Sequence, residues 1–262
     1  MARRPDEPPI PEGVDTRELS RSVRAELRGL PKDLAEIVAS YLVMAGQLVD
    51  EDPELAYAHA EAARRRAARL PIVREAAAET AYAAEHYDVA LSEFRALRRM
   101  TGTHDYLPVM ADCERALGRP QSALKLAKES RRHDLEPAQQ IEMTIVEAGA
   151  RADLGQQPEA LRILKAATES FDVAGEGIRT AKARLRYAYA DALLRAGREA
   201  EARTWFVAAA QLDADGETDA QDRVDELDGL SIEFDDSTDG TGDEEAEQAP
   251  VSPPPSERSQ RR

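Results

Sequence analysis

Alanine recurs at Ala56, Ala90, Ala123, Ala160 and Ala202, at intervals of 34, 33, 37 and 42 residues. Each opens a stretch with apolar or small residues four and seven positions on, as in Ala90, Phe94 and Leu97 and in Ala160, Leu164 and Ala167. A repeat near 34 residues marks stacked helix-turn-helix pairs, each of which buries its apolar face only against its neighbours. Such an array grows in one dimension, so a chain of 262 residues is better counted in repeats than in cores. Aromatic residues make up only 5% of it, as expected where small residues let helices cross closely. Gly118, Gly155 and Gly197 each lie five residues before Ala123, Ala160 and Ala202, where a tight turn needs a residue that tolerates positive φ.

Residues 1–14 contain four prolines and opposing charges and are expected to be disordered. Leu19, Val23, Leu27 and Leu30 then fall on one face of a predicted capping helix over residues 15–30, started by Asp15 or Thr16 and ended by Gly29. Five helix pairs are predicted over residues 31–213: 31–49 with 53–69, 72–84 with 88–100, 104–117 with 120–133, 137–154 with 158–171, and 178–196 with 199–212. Asp52 before Pro53 is a cap before proline at the first helical position. The longer intervals place extra loop residues near 131–135 and 172–177.

The formal charge of -16 is not spread evenly. Residues 213–247 hold sixteen acidic residues and one basic residue, Arg223, so residues 1–212 stay near -3. The acidity belongs to residues 214–262, which are expected to form a disordered tail. One cysteine, Cys113, excludes an internal disulfide and fits a reducing compartment. The start of the chain lacks the apolar core of a secretory signal, and the longest apolar run, residues 37–45, is too short to span a bilayer. The expectation is a soluble, cytoplasmic protein.

The segment AAAETAYAAEHYDVALSEFRAL resembles the tetratricopeptide repeat (TPR) family, with Ala78 as the small residue of helix A, Ala90 as its counterpart in helix B and Phe94 as the packing aromatic. YAYADALLRAGREAEARTWFVAAAQLDAD is similar, with Ala190, Gly197, Ala202, Phe206 and Ala209 at matching places. The A helices mostly lack the family's tryptophan and tyrosine, and the first pair has Ala60 where an aromatic is usual. The whole layout is similar to repeat proteins of high-GC Gram-positive bacteria, which suggests a lineage and no activity. The resemblance implies an all-α, right-handed solenoid of about five TPR-like pairs, acting as a non-catalytic scaffold or adaptor for a peptide or helix held in its concave groove.

By alignment to that family the groove candidates are Tyr41, Glu75, Glu79, Tyr82, Asp112, Arg115, Arg184, Tyr187, Asp191 and Arg195. The set runs from acidic to mixed with arginine, which suits a segment with basic residues near one end; a solvated face is the other reading. The asparagine and lysine clamp that some relatives use for a terminal carboxylate is absent at these positions. A second pattern sets Arg64 and Arg65, Arg98 and Arg99, and Arg131 and Arg132 at equivalent places on three B helices, which would stack into a basic ridge. Either these arginines oppose helix dipoles and bond terminal carbonyls, or they bind anions or nucleic acid under regulation by the acidic tail. The balanced charge of the core and the lack of interleaved aromatics argue against nucleic acid. In the tail, Val224, Leu227, Leu230, Ile232 and Phe234 lie among carboxylates and form a candidate motif for binding another protein or folding back on the ridge; an inert solubilising tail is the alternative.

No catalytic, cofactor or metal site is expected. His59, His86, His104 and His133 sit on separate elements without a second ligand at metal spacing, Cys113 reads as a buried thiol, and no strand or phosphate loop is predicted. Self-association through an uncovered end would fall to Trp205 and Phe206, unless they pack beneath the last pair.

Overall fold

The structure, a computed structural model, describes residues 7–171 and 175–230. Its described residues form a short 3-10 turn, Thr16–Glu18, and twelve α-helices, with no strand. These are α1 (Arg21–Leu27), α2 (Lys32–Leu48), α3 (Pro53–Ala67), α4 (Pro71–Ala83), α5 (Tyr87–Thr101), α6 (Leu107–Ala116), α7 (Pro120–Ser130), α8 (Pro137–Asp153), α9 (Gln157–Ser170), α10 (Glu176–Arg195), α11 (Glu199–Ala210) and α12 (Ala220–Leu227). Consecutive helices pack on one another from α2 to α12. The first helices of the pairs also pack together, α2 on α4, α6 on α8 and α8 on α10, and so build the inner wall of a solenoid.

Local chemistry sets the helix starts. Pro53, Pro71, Pro120 and Pro137 each begin a helix, where a missing amide hydrogen costs nothing. Asp52 caps α3 by accepting the Leu55 amide at 3.0 Å.

The turns inside four pairs are one motif. The amides of His86, Arg119, Gln156 and Arg198 donate to the carbonyls of Ala81, Glu114, Arg151 and Leu193 at 2.8, 2.8, 2.9 and 3.0 Å. The residue before each donor is left-handed: Glu85 (φ 59), Gly118 (φ 70), Gly155 (φ 75) and Gly197 (φ 72). This six-to-one bond with a left-handed residue inside it closes the first helix and aims the second back along it. Twelve residues before Ala90, Ala123, Ala160 and Ala202 stand Ala78, Ala111, Ala148 and Ala190, and all eight alanines are buried. Alanine on both sides of each crossing is what permits the tight antiparallel packing.

Both ends depart from expectation. The segment 7–14 was expected to be disordered, yet both carboxylate oxygens of Glu7 accept hydrogen bonds from Arg66, at 2.5 and 2.6 Å, and Ile10 packs on the first cluster. A carboxylate fully paired with a buried guanidinium ties down a stretch whose composition could not order itself. The single capping helix is split, because Leu19 is extended (ψ 140) and Ser20 starts α1 anew by accepting the Val23 amide at 3.3 Å.

At the other end the helical array does not stop at residue 213. Asp213 accepts the amides of Glu217 (2.8 Å) and Thr218 (2.7 Å) and the Thr218 hydroxyl (2.6 Å), turning the chain into α12. Ala220 and Val224 enter the cluster that holds Phe206, Arg223 lies over the Phe206 ring at 5.6 Å, and Arg203 grips Asp228 with two bonds of 2.5 and 2.6 Å. Val224 and Leu227, read as part of a free motif, therefore belong to the fold; Leu230 is exposed, and Ile232 and Phe234 lie outside the described residues.

Val224→Asp is expected to lower stability by about 2–3 kcal/mol, because a carboxylate would replace a buried isopropyl group; an unchanged urea midpoint would place residues 214–230 outside the cooperative unit. Glu85→Gly is expected to raise stability by about 0.5–1 kcal/mol, the left-handed penalty of an L-residue less the extra unfolded-state entropy of glycine. The same denaturation experiment checks it.

Candidate functional site

The inner wall carries a groove whose side chains follow the repeat. One position after the buried alanines of the inner helices stand Glu79, Asp112, Gly149 and Asp191. Six positions before Ala148 and Ala190 stand Glu142 and Arg184, which pair across the groove at 3.2 Å.

Two adjoining cavities form its central and C-terminal parts. The first, about 460 Å³, is lined by Tyr82, Val109, Asp112, Arg115, Glu142 and Arg184 among others. The second, about 200 Å³, shares Asp112, Arg115, Ile145 and Val146 with it and continues to Tyr187, Asp191 and Arg195. Its floor is apolar and its walls are polar.

Hydrogen bonds hold those walls in place. The Tyr82 hydroxyl donates to Asp112 at 2.6 Å, and Arg115 donates to the other oxygen of Asp112 at 3.1 Å while lying 3.5 Å from Asp153. Arg184 sits between Glu142 and Glu217, donating to the latter at 2.7 Å, and Arg195 pairs with Asp191 at 2.5 Å. Burial pushes the Glu142 carboxyl up from the ordinary range, with Arg184 opposing the shift. Tyr187 rests edge-on against Phe206 at 5.2 Å, and burial raises its phenol to about 12.

Nearer the N-terminus, Glu75 accepts the Tyr106 hydroxyl, and Glu79 makes no ion pair or hydrogen bond among the described residues. The wall surrounds Glu79 on most sides while leaving it open to solvent. That enclosure, together with the like charge of Glu75, raises its carboxyl to about 7.

Tyr41 is not part of the groove. It is buried against α3, with His59 at 5.8 Å and the Arg66 guanidinium 5.1 Å above its ring, in the cluster that also takes Ile10 from the N-terminal segment. The other nine candidates lie on the inner helices. Glu142, Ile145 and Val146 of α8 were missed, because the long third interval hid the register; counting back from Ala160 through Ala148 would have found them.

The arginines at equivalent places on α3, α5 and α7 are largely spoken for. Arg64 donates to Glu61 at 2.6 Å and lies 3.4 Å from Glu93 on α5, and Arg65 donates to Glu61 at 3.1 Å. Arg98 reaches Glu129 on α7 at 2.5 Å, and Arg131 reaches Glu147 on α8 at 2.7 Å. Arg99 and Arg132 remain exposed. Through Arg64, Arg98 and Arg131 the ridge ties α3 to α5, α5 to α7 and the end of α7 to α8.

Neither family sequence models nor curated protein sequences match the chain. Its structure is similar to that of TTC0263, a thermophilic TPR protein of Thermus thermophilus, with a TM-score of 0.55 and 20% identity over 74% of this chain and 100% of that one. The fold is a TPR-like solenoid.

Within the TPR pairs the groups that could suggest chemistry are placed structurally. Cys113 is buried in α6 and burial lifts its thiol to about 12, so it stays protonated at neutral pH. His59 is buried and its pKa lowered by that burial. The rings of His104 and His133, from loops after α5 and α7, stack at 3.5 Å, a contact that their separation in sequence concealed. Among the described residues no group of three or more histidine, cysteine, aspartate or glutamate side chains could hold a metal ion.

Because the folded-state pKa of Glu79 is raised, its contribution to stability is present in full below the ordinary glutamate range and is lost as pH rises through about 7. Glu79→Gln should therefore raise the melting temperature relative to the parent at pH 8 and leave it nearly unchanged at pH 4. An equal effect at both pH values would mean that Glu79 titrates normally.

Proposed function

We propose that this protein is a non-catalytic scaffold or adaptor whose concave groove holds a segment of a partner protein. The observation that carries this reading is the continuous trough along α6, α8 and α10, with an apolar floor of Val109, Ile145 and Val146 and walls of fixed polar side chains. A floor of this kind supplies hydrophobic contact, and prepositioned carboxylates, guanidinium groups and a tyrosine hydroxyl supply orientation at small entropic cost. No described helix is long and apolar enough to cross a membrane.

Binding of anions or nucleic acid along the outer arginines is the competing reading. It has less support, because Arg64, Arg65, Arg98 and Arg131 would have to give up carboxylate partners, and only Arg99 and Arg132 stand exposed without a bond among the described residues.

Gly149 offers a clean test. A Cβ there would come within 3.1 Å of the Arg115 guanidinium, so leucine would fill the trough and displace Arg115, while glycine removal strengthens α8. Proteins retained by the wild-type chain from nuclease-treated lysate are expected to bind Gly149→Leu at least about tenfold more weakly, ~1.4 kcal/mol, and to bind Arg99→Gln/Arg132→Gln unchanged. The opposite pattern, or retention that disappears with nuclease, would move the function to the outer arginines.

A further inference from the structure

A further pocket lies toward the N-terminal end of the inner wall and shares no lining residue with the two cavities above. Where the 3-10 turn and α1 lie against α2 and α4, a pocket of about 190 Å³ is walled by Leu19, Val23, Leu42, Val49 and Ile72, with Glu79 among its lining residues. Its α2 wall includes Gly46, where an added Cβ would meet nothing within 4 Å, so the space is open. The hydroxyl of Thr80, the other polar lining group, is already bonded to the Ala76 carbonyl at 2.6 Å.

Among the described residues the groove carboxylates Glu79, Glu75 and Asp105 make no ion pair, and of these Glu79 and Glu75, one turn apart on α4, stand at the apolar pocket. The guanidinium groups farther along are each committed: Arg115 to Asp112 and Asp153, Arg184 to Glu142 and Glu217, Arg195 to Asp191. From the α6 side Tyr106, whose hydroxyl fixes Glu75, faces the pair with Asp105 next to it, and from α2 and α1 the described pocket lining presents no titratable side chain. Glu79 stays open to solvent, but the wall beside it removes part of its hydration and no counter-charge replaces it, and together with the like charge of Glu75 this raises its carboxyl.

We propose that this pocket is the specificity subsite of the groove, taking an aliphatic or aromatic side chain of the partner segment while a neighbouring lysine or arginine places its charge between Glu79 and Glu75. This rests on the groove reading above. The alkyl stem of a lysine or arginine covers apolar surface and carries its head to the rim, and no other common side chain satisfies both halves of the site. Charge complementarity excludes the acidic stretch of this chain beyond residue 230, and its cations Arg258, Arg261 and Arg262 have no aliphatic or aromatic residue beside them.

The probe is a random dodecapeptide library panned on the immobilised full chain, followed by titration of the enriched peptides. The expected result is enrichment of sequences that set leucine, isoleucine, methionine or phenylalanine beside lysine or arginine. Their affinity should fall about tenfold or more in Glu75→Gln/Glu79→Gln and in Gly46→Leu, which sets a branched side chain at an open position of the pocket wall. Enriched peptides without a cation overturn the subsite. So do basic peptides that ignore both of these variants but fail on Gly149→Leu, a result that leaves the groove standing. A library that enriches nothing overturns the groove together with its subsite.

Discussion

The solenoid depends first on the six-to-one hydrogen bond that ends each inner helix of the four TPR pairs from α4 to α11. That bond forms only if the residue inside it adopts a left-handed conformation, and it then fixes the direction in which the next helix leaves. With the direction fixed, the alanines twelve residues apart meet at the crossing, and the remaining apolar side chains are placed by helical period. Glycine satisfies the requirement at 118, 155 and 197, whereas Glu85 meets it against the preference of an L-residue. That the second pair folds the same way despite this cost shows how strongly the packing of Ala78, Ala90 and Phe94 determines the turn between them.

A one-dimensional array leaves an apolar face at each end, and here each end is closed by a different physical device. At the N-terminus a buried ion pair, Glu7 with Arg66, draws an extended proline-containing segment over the first pair. Removing one partner of such a pair leaves an uncompensated buried charge, which is far more costly than the pair itself is stabilising. At the C-terminus the three hydrogen bonds accepted by Asp213 turn the chain, and α12 then covers Phe206 with Ala220, Val224 and the face of Arg223. Phe206 is consequently interior and is not available as an end-to-end contact.

Repetition explains what the sequence revealed. The alanine spacing, the glycine offset and the proline starts are local or periodic, so they exposed the helix pairs and most of the inner wall. The devices at the two ends are neither local nor periodic. Glu7 and Arg66 are fifty-nine residues apart, and α12 is built from acidic residues whose composition alone reads as unfolded. Tyr41 was misplaced because the first pair has a partner, the N-terminal segment, that no other pair has. The groove residues of α8 were legible in principle but needed the register to be carried through the irregular interval between Ala123 and Ala160.

The two sets of arginines show why equal spacing does not by itself imply a binding surface. On the outer helices Arg64, Arg98 and Arg131 meet carboxylates supplied by the next repeat, so these charges serve to join repeats. In the groove the balance is reversed: the guanidinium groups pair within the wall, and carboxylates are left over at one end beside an apolar pocket. A surface that has already neutralised its cations offers an incoming anion little, because each new contact must break an existing one. A surface with unneutralised carboxylates beside an apolar pocket gains on meeting a cation, since no existing ion pair has to be broken to admit it. The polarity of the groove, with paired charges toward α10 and unpaired carboxylates toward α4, would therefore give a segment bound as proposed a direction as well as a place.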